Sequence, residues 1–175
     1  MYKRIFTALL LFICGGHLAF GQFGPQNTLT INTDEPRDVA AGDLTGDGYK
    51  DIVAISSEDG ELMWFNNIGG QGLFTAKQTI NQSNTEGSTV DLADLDNDGD
   101  LDILVGYGVD GNEVAWYENT NGFAAFGPKQ IIGTAGTVRM VRAADIDGDG
   151  DLDVFAAAQL DDALIWFEHL DGQGT

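Results

Sequence analysis

Basic residues are scarce in this 175-residue chain: eight Lys and Arg stand against 28 Asp and Glu, for a formal net charge of −20. A surface this negative repels phosphate, which excludes DNA and RNA as partners and argues against anionic membrane surfaces. Cysteine is almost missing; Cys14 is the sole one. Histidine occurs twice, as His17 and His169. Without clustered His or Cys there is no donor set for zinc, and no Ser–His–Asp or Cys–His arrangement is recognisable. Long apolar runs are also lacking. "IFTALLLFIC" at 5–14 is ten residues, about half of what a bilayer-spanning helix needs. Proline is rare, at three, while glycine is abundant, at 24. That mix suits tight turns between many short strands. Hydrophobic residues make up 43%, enough for the core of one domain and too many for a disordered acidic tail.

The first 21 residues read as a signal peptide. Lys3 and Arg4 form a basic start, 5–14 is the apolar centre, and "AFG" at 19–21 puts small residues at the −3 and −1 positions of a cleavage site. Ile13 is too bulky for Cys14 to be a lipid-anchored cysteine. The mature chain is expected to begin near Gln22, free of cysteine, with its charge moved from −20 to −22 by loss of Lys3 and Arg4. Disulfide and thiol chemistry then have no material. Bacterial-type export, to the medium or the cell surface, is the expectation, with no membrane insertion after cleavage.

An acidic nonapeptide occurs three times: "DLTGDGYKD" at 43–51, "DLDNDGDLD" at 94–102 and "DIDGDGDLD" at 145–153. Other features keep the same beat of about 51 residues. Each nonapeptide is followed by an apolar stretch ("IVAIS", "ILVGY", "VFAAA") and then by an aromatic pair: Trp64–Phe65, Trp116–Tyr117 and Trp166–Phe167. A Phe-led stretch follows in two repeats, "FTAKQTI" from Phe74 and "FGPKQII" from Phe126. A period near 50 with several short strands per unit predicts stacked β units, most often propeller blades. Each repeat reads as four strands. Strand A precedes the acidic loop and alternates, with Val39 and Ala41, Val90 and Leu92, Val141 and Ala143 on one face. Strand B follows the loop and is apolar throughout, C carries the aromatic pair, and D is polar enough for an edge. The expected bounds are 36–80, 88–132 and 138–175, the last lacking its strand D. "FGPQNTL" predicts a lone outer strand over 23–31. The whole repeat region is 22–175. Three blades are fewer than the four to eight of known propellers. The expectation is therefore either a segment of a longer ring or a ring assembled from several copies.

The nonapeptide concentrates charge at a cost: two carboxylates ~4 Å apart repel by ~4 kcal/mol at an effective dielectric near 20. The spacing supplies a reason. Oxygens at positions one, three, five and nine, a backbone carbonyl at seven and a sharp glycine turn at six surround a hard cation. Calcium takes six to eight oxygens at about 2.3–2.6 Å and tolerates irregular geometry, whereas magnesium demands a near-ideal octahedron. The expected ligands are Asp43, Thr45, Asp47, Asp51 and the carbonyl of Tyr49 in loop 1. In loop 2 they are Asp94, Asp96, Asp98, Asp102 and the carbonyl of Asp100. In loop 3 they are Asp145, Asp147, Asp149, Asp153 and the carbonyl of Asp151. Loop 1, with Thr45 in place of a carboxylate, is expected to bind most weakly. Position twelve holds Ala54, Val105 or Ala156 rather than Glu, and the flanks read as strands, so these are not EF-hands. Up to three structural Ca²⁺ ions are expected. They would take the mature charge from −22 to −16, and at ~0.1 mM affinity in ~1 mM calcium each would stabilise the fold by ~1.4 kcal/mol.

The repeats resemble the FG-GAP or VCBS family, through the three nonapeptides, the small apolar strand A, and "FG" at Phe23–Gly24 and Phe126–Gly127. The likeness runs over 23–175. "GAP" itself is absent and Thr75 follows Phe74, which places the chain nearer the bacterial secreted branch than integrin α subunits. The resemblance implies a seven-bladed propeller of four-stranded antiparallel blades, calcium in the A–B loops, and a role in adhesion or ligand binding.

Other candidates are weighed against plain packing. Trp64, Trp116 and Trp166 have the rings of a sugar platform, but they recur with the fold and are expected between blades, with Phe65, Tyr117 and Phe167 on the opposite face. Asp91 and Arg142 share a register three residues before their loops; they are expected to line a central channel, as an inter-blade salt bridge or a polar ligand pocket. His169, after Glu168, is expected on the surface. A carboxylate pair for glycoside hydrolysis has material in plenty, yet the acids that stand out are claimed by the loops. The reading is a non-enzymatic, secreted, calcium-binding module whose partner is an extracellular protein or glycan. The alternatives are an accessory region of a polysaccharide-degrading enzyme and an architectural spacer.

Overall fold

A computed structural model describes residues 24–170 apart from 31 and 84. The expected signal peptide, Phe23 and residues 171–175 lie outside the described residues. Among those described, the chain is all-β: eleven strands and one short 3-10 turn at Ile68–Gly70. β1 (Pro36–Gly42), β2 (Asp51–Ser56), β3 (Glu61–Phe65) and β4 (Gln78–Gln82) form one sheet in that order. β5 (Gly87–Ala93), β6 (Asp102–Tyr107), β7 (Glu113–Tyr117) and β8 (Gln130–Thr134) form a second. β9 (Val138–Ala144), β10 (Asp153–Ala158) and β11 (Ala163–Phe167) form a third, of three strands. All neighbours are antiparallel, so each sheet is a meander of the propeller-blade type.

Composition explains which strand goes where. β6 is buried along its whole length because both faces are covered, and its sequence, DILVGY, is correspondingly apolar after the aspartate. β4 and β8, rich in Gln, Asn and Thr, stand at the outer edge and are mostly half-buried or exposed. The Phe-led strands are shorter than expected. Strand pairing starts at Gln78 and Gln130, while Phe74 and Phe126 make isolated bridges to Asn67 and Asn119. Residues 24–30, within the expected outer strand, carry no strand.

The cores lie between the sheets. Leu44 of the first acidic loop and Val53, Ile55, Leu62 and Trp64 of the first sheet meet Val90, Ile103, Val105, Tyr107, Ala115 and Tyr117 of the second. Leu95 of the second acidic loop and Leu104, Val114 and Trp116 of the second sheet then meet Val138, Val141, Val154, Ala156 and Phe167 of the third. The aromatic pairs split as period-two alternation demands: Trp64 and Trp116 face the following sheet, while Tyr117 and Phe167 face the preceding one. Trp64 and Trp116 are 8% and 5% exposed, in line with expectation. Trp166 departs from it at 49%, because no fourth sheet covers that face among the described residues.

The first strands of the three sheets, β1, β5 and β9, are stitched together through aspartate side chains. Asp38 Oδ2 accepts from Thr89 Oγ1 (2.8 Å) and from Val90 N–H (3.0 Å) across to the second sheet. Asp91 Oδ2 accepts from Ala143 N–H of the third at 3.3 Å. The expected Asp91–Arg142 salt bridge is not among the ion pairs of the described residues. Arg142 Nη1 instead donates to the Val141 carbonyl at 2.7 Å. A backbone amide in the neighbouring strand satisfies Asp91 without any cation.

Candidate metal centres

Each acidic loop joins strands A and B of one sheet, and its shape follows from two residues. Position six turns back with positive φ: +87° at Gly48, +97° at Gly99 and +104° at Gly150. A side chain disfavours that region, so glycine is required. Position four is left-handed as well, at Gly46, Asn97 and Gly148, with φ of 67°, 61° and 84°. The sequence reading missed this second constraint, although Gly and Asn are the residues that tolerate it.

Backbone amides then collect the carboxylates. Asp43 accepts from Asp47 N–H (3.1 Å) and Gly48 N–H (2.8 Å). Asp94 accepts from Asp98 N–H and Gly99 N–H, both at 3.0 Å. Asp145 accepts from Gly148 N–H at 2.7 Å. At position five, Asp47, Asp98 and Asp149 accept from the amides of Tyr49, Asp100 and Asp151 at 2.9, 2.9 and 3.0 Å. At position seven it is thus the amide, rather than the expected carbonyl ligand, whose partner is defined.

Position nine has a duty beyond the one expected. Asp51, Asp102 and Asp153 are buried at the start of strand B. In each, one oxygen accepts the N–H of loop position two: Leu44 at 3.1 Å, Leu95 at 2.8 Å, Ile146 at 3.1 Å. The other accepts an N–H just past strand C: Asn67 at 2.8 Å, Asn119 at 2.8 Å, His169 at 2.9 Å. The ninth aspartate therefore ties its loop to the end of strand C. The partner residue is a second one the sequence reading passed over. Its signal was visible: Asn, Asn and His each stand two residues after the aromatic pair.

Two oxygens bound to one calcium ion lie at most about 5 Å apart. In loop 2, carboxylate oxygens of Asp94, Asp96 and Asp102 all lie within 4.8 Å of one another. In loop 3 the same holds for Asp145, Asp147 and Asp149. Asp98 and Asp153 are outside these triads, so neither loop gathers all four expected carboxylates. In loop 1, Thr45 Oγ1 is shielded from solvent yet has no hydrogen-bond partner. An unpaired buried hydroxyl at position three is the defect that a cation ligand would relieve. The donor sets fit a hard, oxygen-loving ion.

Electrostatics separate the loops. Burial pushes Asp102 up to about 7; the charges of Asp96 and Asp98 add to this, and the amides of Asn119 and Leu95 oppose it. Burial, then the Asp98 charge, also raises Asp96. Asp153 has equivalent amide partners but moves the other way. Burial again pulls upward, but the amides of His169 and Ile146 and the Trp166 side chain outweigh it. Both carboxylates are hidden from solvent, yet the third sheet has nothing described on its far side, so less protein surrounds Asp153.

The profile of the FG-GAP-like repeat matches residues 43–105 and 106–156, well over half of the chain. The chain belongs to the FG-GAP-like repeat family. All three acidic loops of this FG-GAP-like chain fall inside the matched residues, as do Asn67 and Asn119, while His169 lies beyond them. FG-GAP-like repeats are typically non-catalytic, β-propeller-type binding modules, which agrees with the blade-like sheets. No curated protein matches the chain. No helix among the described residues is long and apolar enough to cross a membrane.

Proposed function

We propose that this FG-GAP-like chain is a secreted, calcium-stabilised propeller-type module that holds a binding or adhesion surface toward an extracellular protein or glycan. The observation that carries the calcium assignment is the gathering of oxygens in a recurring loop, at positions one, three and nine in loop 2 and at one, three and five in loop 3. Two loops bring three carboxylates each within 4.8 Å, and the third offers an unpaired, buried threonine hydroxyl. The basic, apolar and small-residue pattern of 1–21 supports export to a compartment where calcium is millimolar. A bound ion would supply positive charge where each loop concentrates negative charge. The chain's own part is to pre-arrange the oxygens with loop amides and to anchor each loop through its ninth aspartate.

Titration calorimetry with calcium, run beside thermal melting in calcium and in EDTA, tests the assignment. Heat of binding for two to three ions and a melting point lowered by EDTA are expected. A flat titration and identical melting curves would sink it. Binding to an array of glycans and to candidate surface proteins, each with and without calcium, tests the adhesive role.

A further inference from the structure

The first and second loops belong to different sheets, yet one residue touches both. Asn119 is fully buried just past β7. Its backbone N–H donates to Asp102 Oδ1 in loop 2 at 2.8 Å. Its side-chain Nδ2 donates to the Leu44 carbonyl in loop 1 at 3.0 Å, and to the Leu101 carbonyl in loop 2 at 3.4 Å. Leu44 N–H in turn donates to Asp51 Oδ2 at 3.1 Å. The result is an unbroken path of hydrogen bonds from the ninth aspartate of loop 1, through Leu44 and Asn119, to the ninth aspartate of loop 2. Asn67 shows what is specific to this junction. Its Nδ2 donates to the Lys50 carbonyl, position eight of its own loop, at 3.0 Å. Asn119 repeats that bond with Leu101 and adds the reach to the neighbouring loop.

We propose that Asn119 is a positioning residue that couples the calcium sites of loops 1 and 2, so that filling one raises the affinity of the other. This rests on the calcium reading above. The sign follows from ordering. Each empty loop holds like charges together and costs free energy to fix. An ion in loop 2 fixes Asp102 and Leu101, and with them Asn119, Leu44 and Asp51. Loop 1 then has less ordering left to undergo on binding. Coupling between sites is reciprocal and commonly reaches fivefold or more in affinity.

Tyr49 provides a site-specific probe. It occupies position seven of loop 1, where loops 2 and 3 have aspartate, and its ring lies against Gly70. Trp166, whose side chain bonds Asp153, would sensitise terbium in loop 3. The part of the terbium luminescence that Tyr49→Phe abolishes, with calcium as competitor, therefore reports loop 1. Loop 2 is disabled by Asp94→Ala with Asp96→Ala, which leaves Asp102 and its bond to Asn119 in place. The expected result is a loss of about fivefold in loop 1 affinity when Asn119 is present, and no loss in an Asn119→Ala background. An equal loss in both backgrounds, or none in either, overturns the coupling while leaving calcium binding intact. Absence of any competition by calcium in the unaltered protein overturns the calcium reading itself, and the coupling with it. A second measurement keeps Asn119 unaltered, in case its replacement unfolds the chain. With loop 1 disabled by Asp43→Ala and Asp47→Ala, calcium is expected to slow amide hydrogen exchange at Leu44 by about fivefold. Unchanged exchange there contradicts the proposal.

Discussion

Gly99 shows how a single residue sets the loop. A Cβ built at Gly99 meets nothing within 4 Å, so Gly99→Ala introduces no clash. The penalty comes from φ alone, +97° in the structure, and is about 1–2 kcal/mol. Urea denaturation in EDTA isolates that term, and an unchanged midpoint would show that the turn does not need glycine. Asp102 sets a pH dependence at the same scale. Its folded pKa, about 7, lies above its ordinary value of 3.8. The fold therefore favours the protonated form, and the stability this gives is complete below about pH 4 and lost as pH rises through about 7. In EDTA, the Asp102 contribution makes the domain more stable at pH 5 than at pH 8. In the proposed calcium-bound state the ion would take the place of the proton, so its stabilising effect is expected to grow over the same interval. Melting at both pH values, with and without calcium, measures the two trends.

At the scale of the element, equivalent positions differ by what covers them. Trp64 pairs with Val53, Trp116 with Leu104 and Trp166 with Phe155, all in one register. Trp64→Ala and Trp116→Ala empty a core between two sheets and are expected to cost about 3–5 kcal/mol each. Trp166→Ala, on a half-exposed face, is expected to cost less than half as much. Equal losses at all three would mean that something covers the third sheet. Gly106 illustrates the opposite constraint. A Cβ there would stand 2.5 Å from Val138 Cγ1 and 2.7 Å from Thr89 Cγ2. Gly106→Ala therefore pushes β9 away from β6, at about 1–3 kcal/mol by chemical denaturation. The corresponding residues of the other sheets are Ile55 and Ala157, so the need for glycine belongs to this junction alone.

For the whole molecule, charge is the dominant variable. A chain at −20 repels itself in the compact state, and salt screens that repulsion over about 10 Å at 0.1 M. In EDTA, raising KCl from 0.05 to 0.5 M is expected to raise the melting point. In calcium the gain is expected to be smaller, because ions bound as proposed would already neutralise the densest clusters. Three filled sites would together contribute about 4 kcal/mol, or about 10 °C in melting temperature. A salt response identical in EDTA and calcium would argue that the ions neutralise nothing.

Repetition made the fold legible. Three copies of one pattern, 51 residues apart, disclosed the strand order, the apolar central strand, the glycine turn and the split of the aromatic pairs, because all of these follow from local spacing and period-two alternation. The positions of the acidic loops were legible for the same reason, but their left-handed fourth residue and the partner of the ninth aspartate past strand C were not read. What neighbours do to one another was not. Only the tertiary structure decided that Asp102 and Asp153, the ninth residues of closely similar loops, are driven in opposite directions. The same is true of the amide, not Arg142, that answers Asp91, and of Trp166, left half bare while its two counterparts are sealed. Likewise, Asn119 reaches a loop 75 residues away in sequence. Those outcomes depend on which sheet lies alongside, and burial, desolvation and hydrogen-bond partners come from that packing rather than from the order of residues in one repeat.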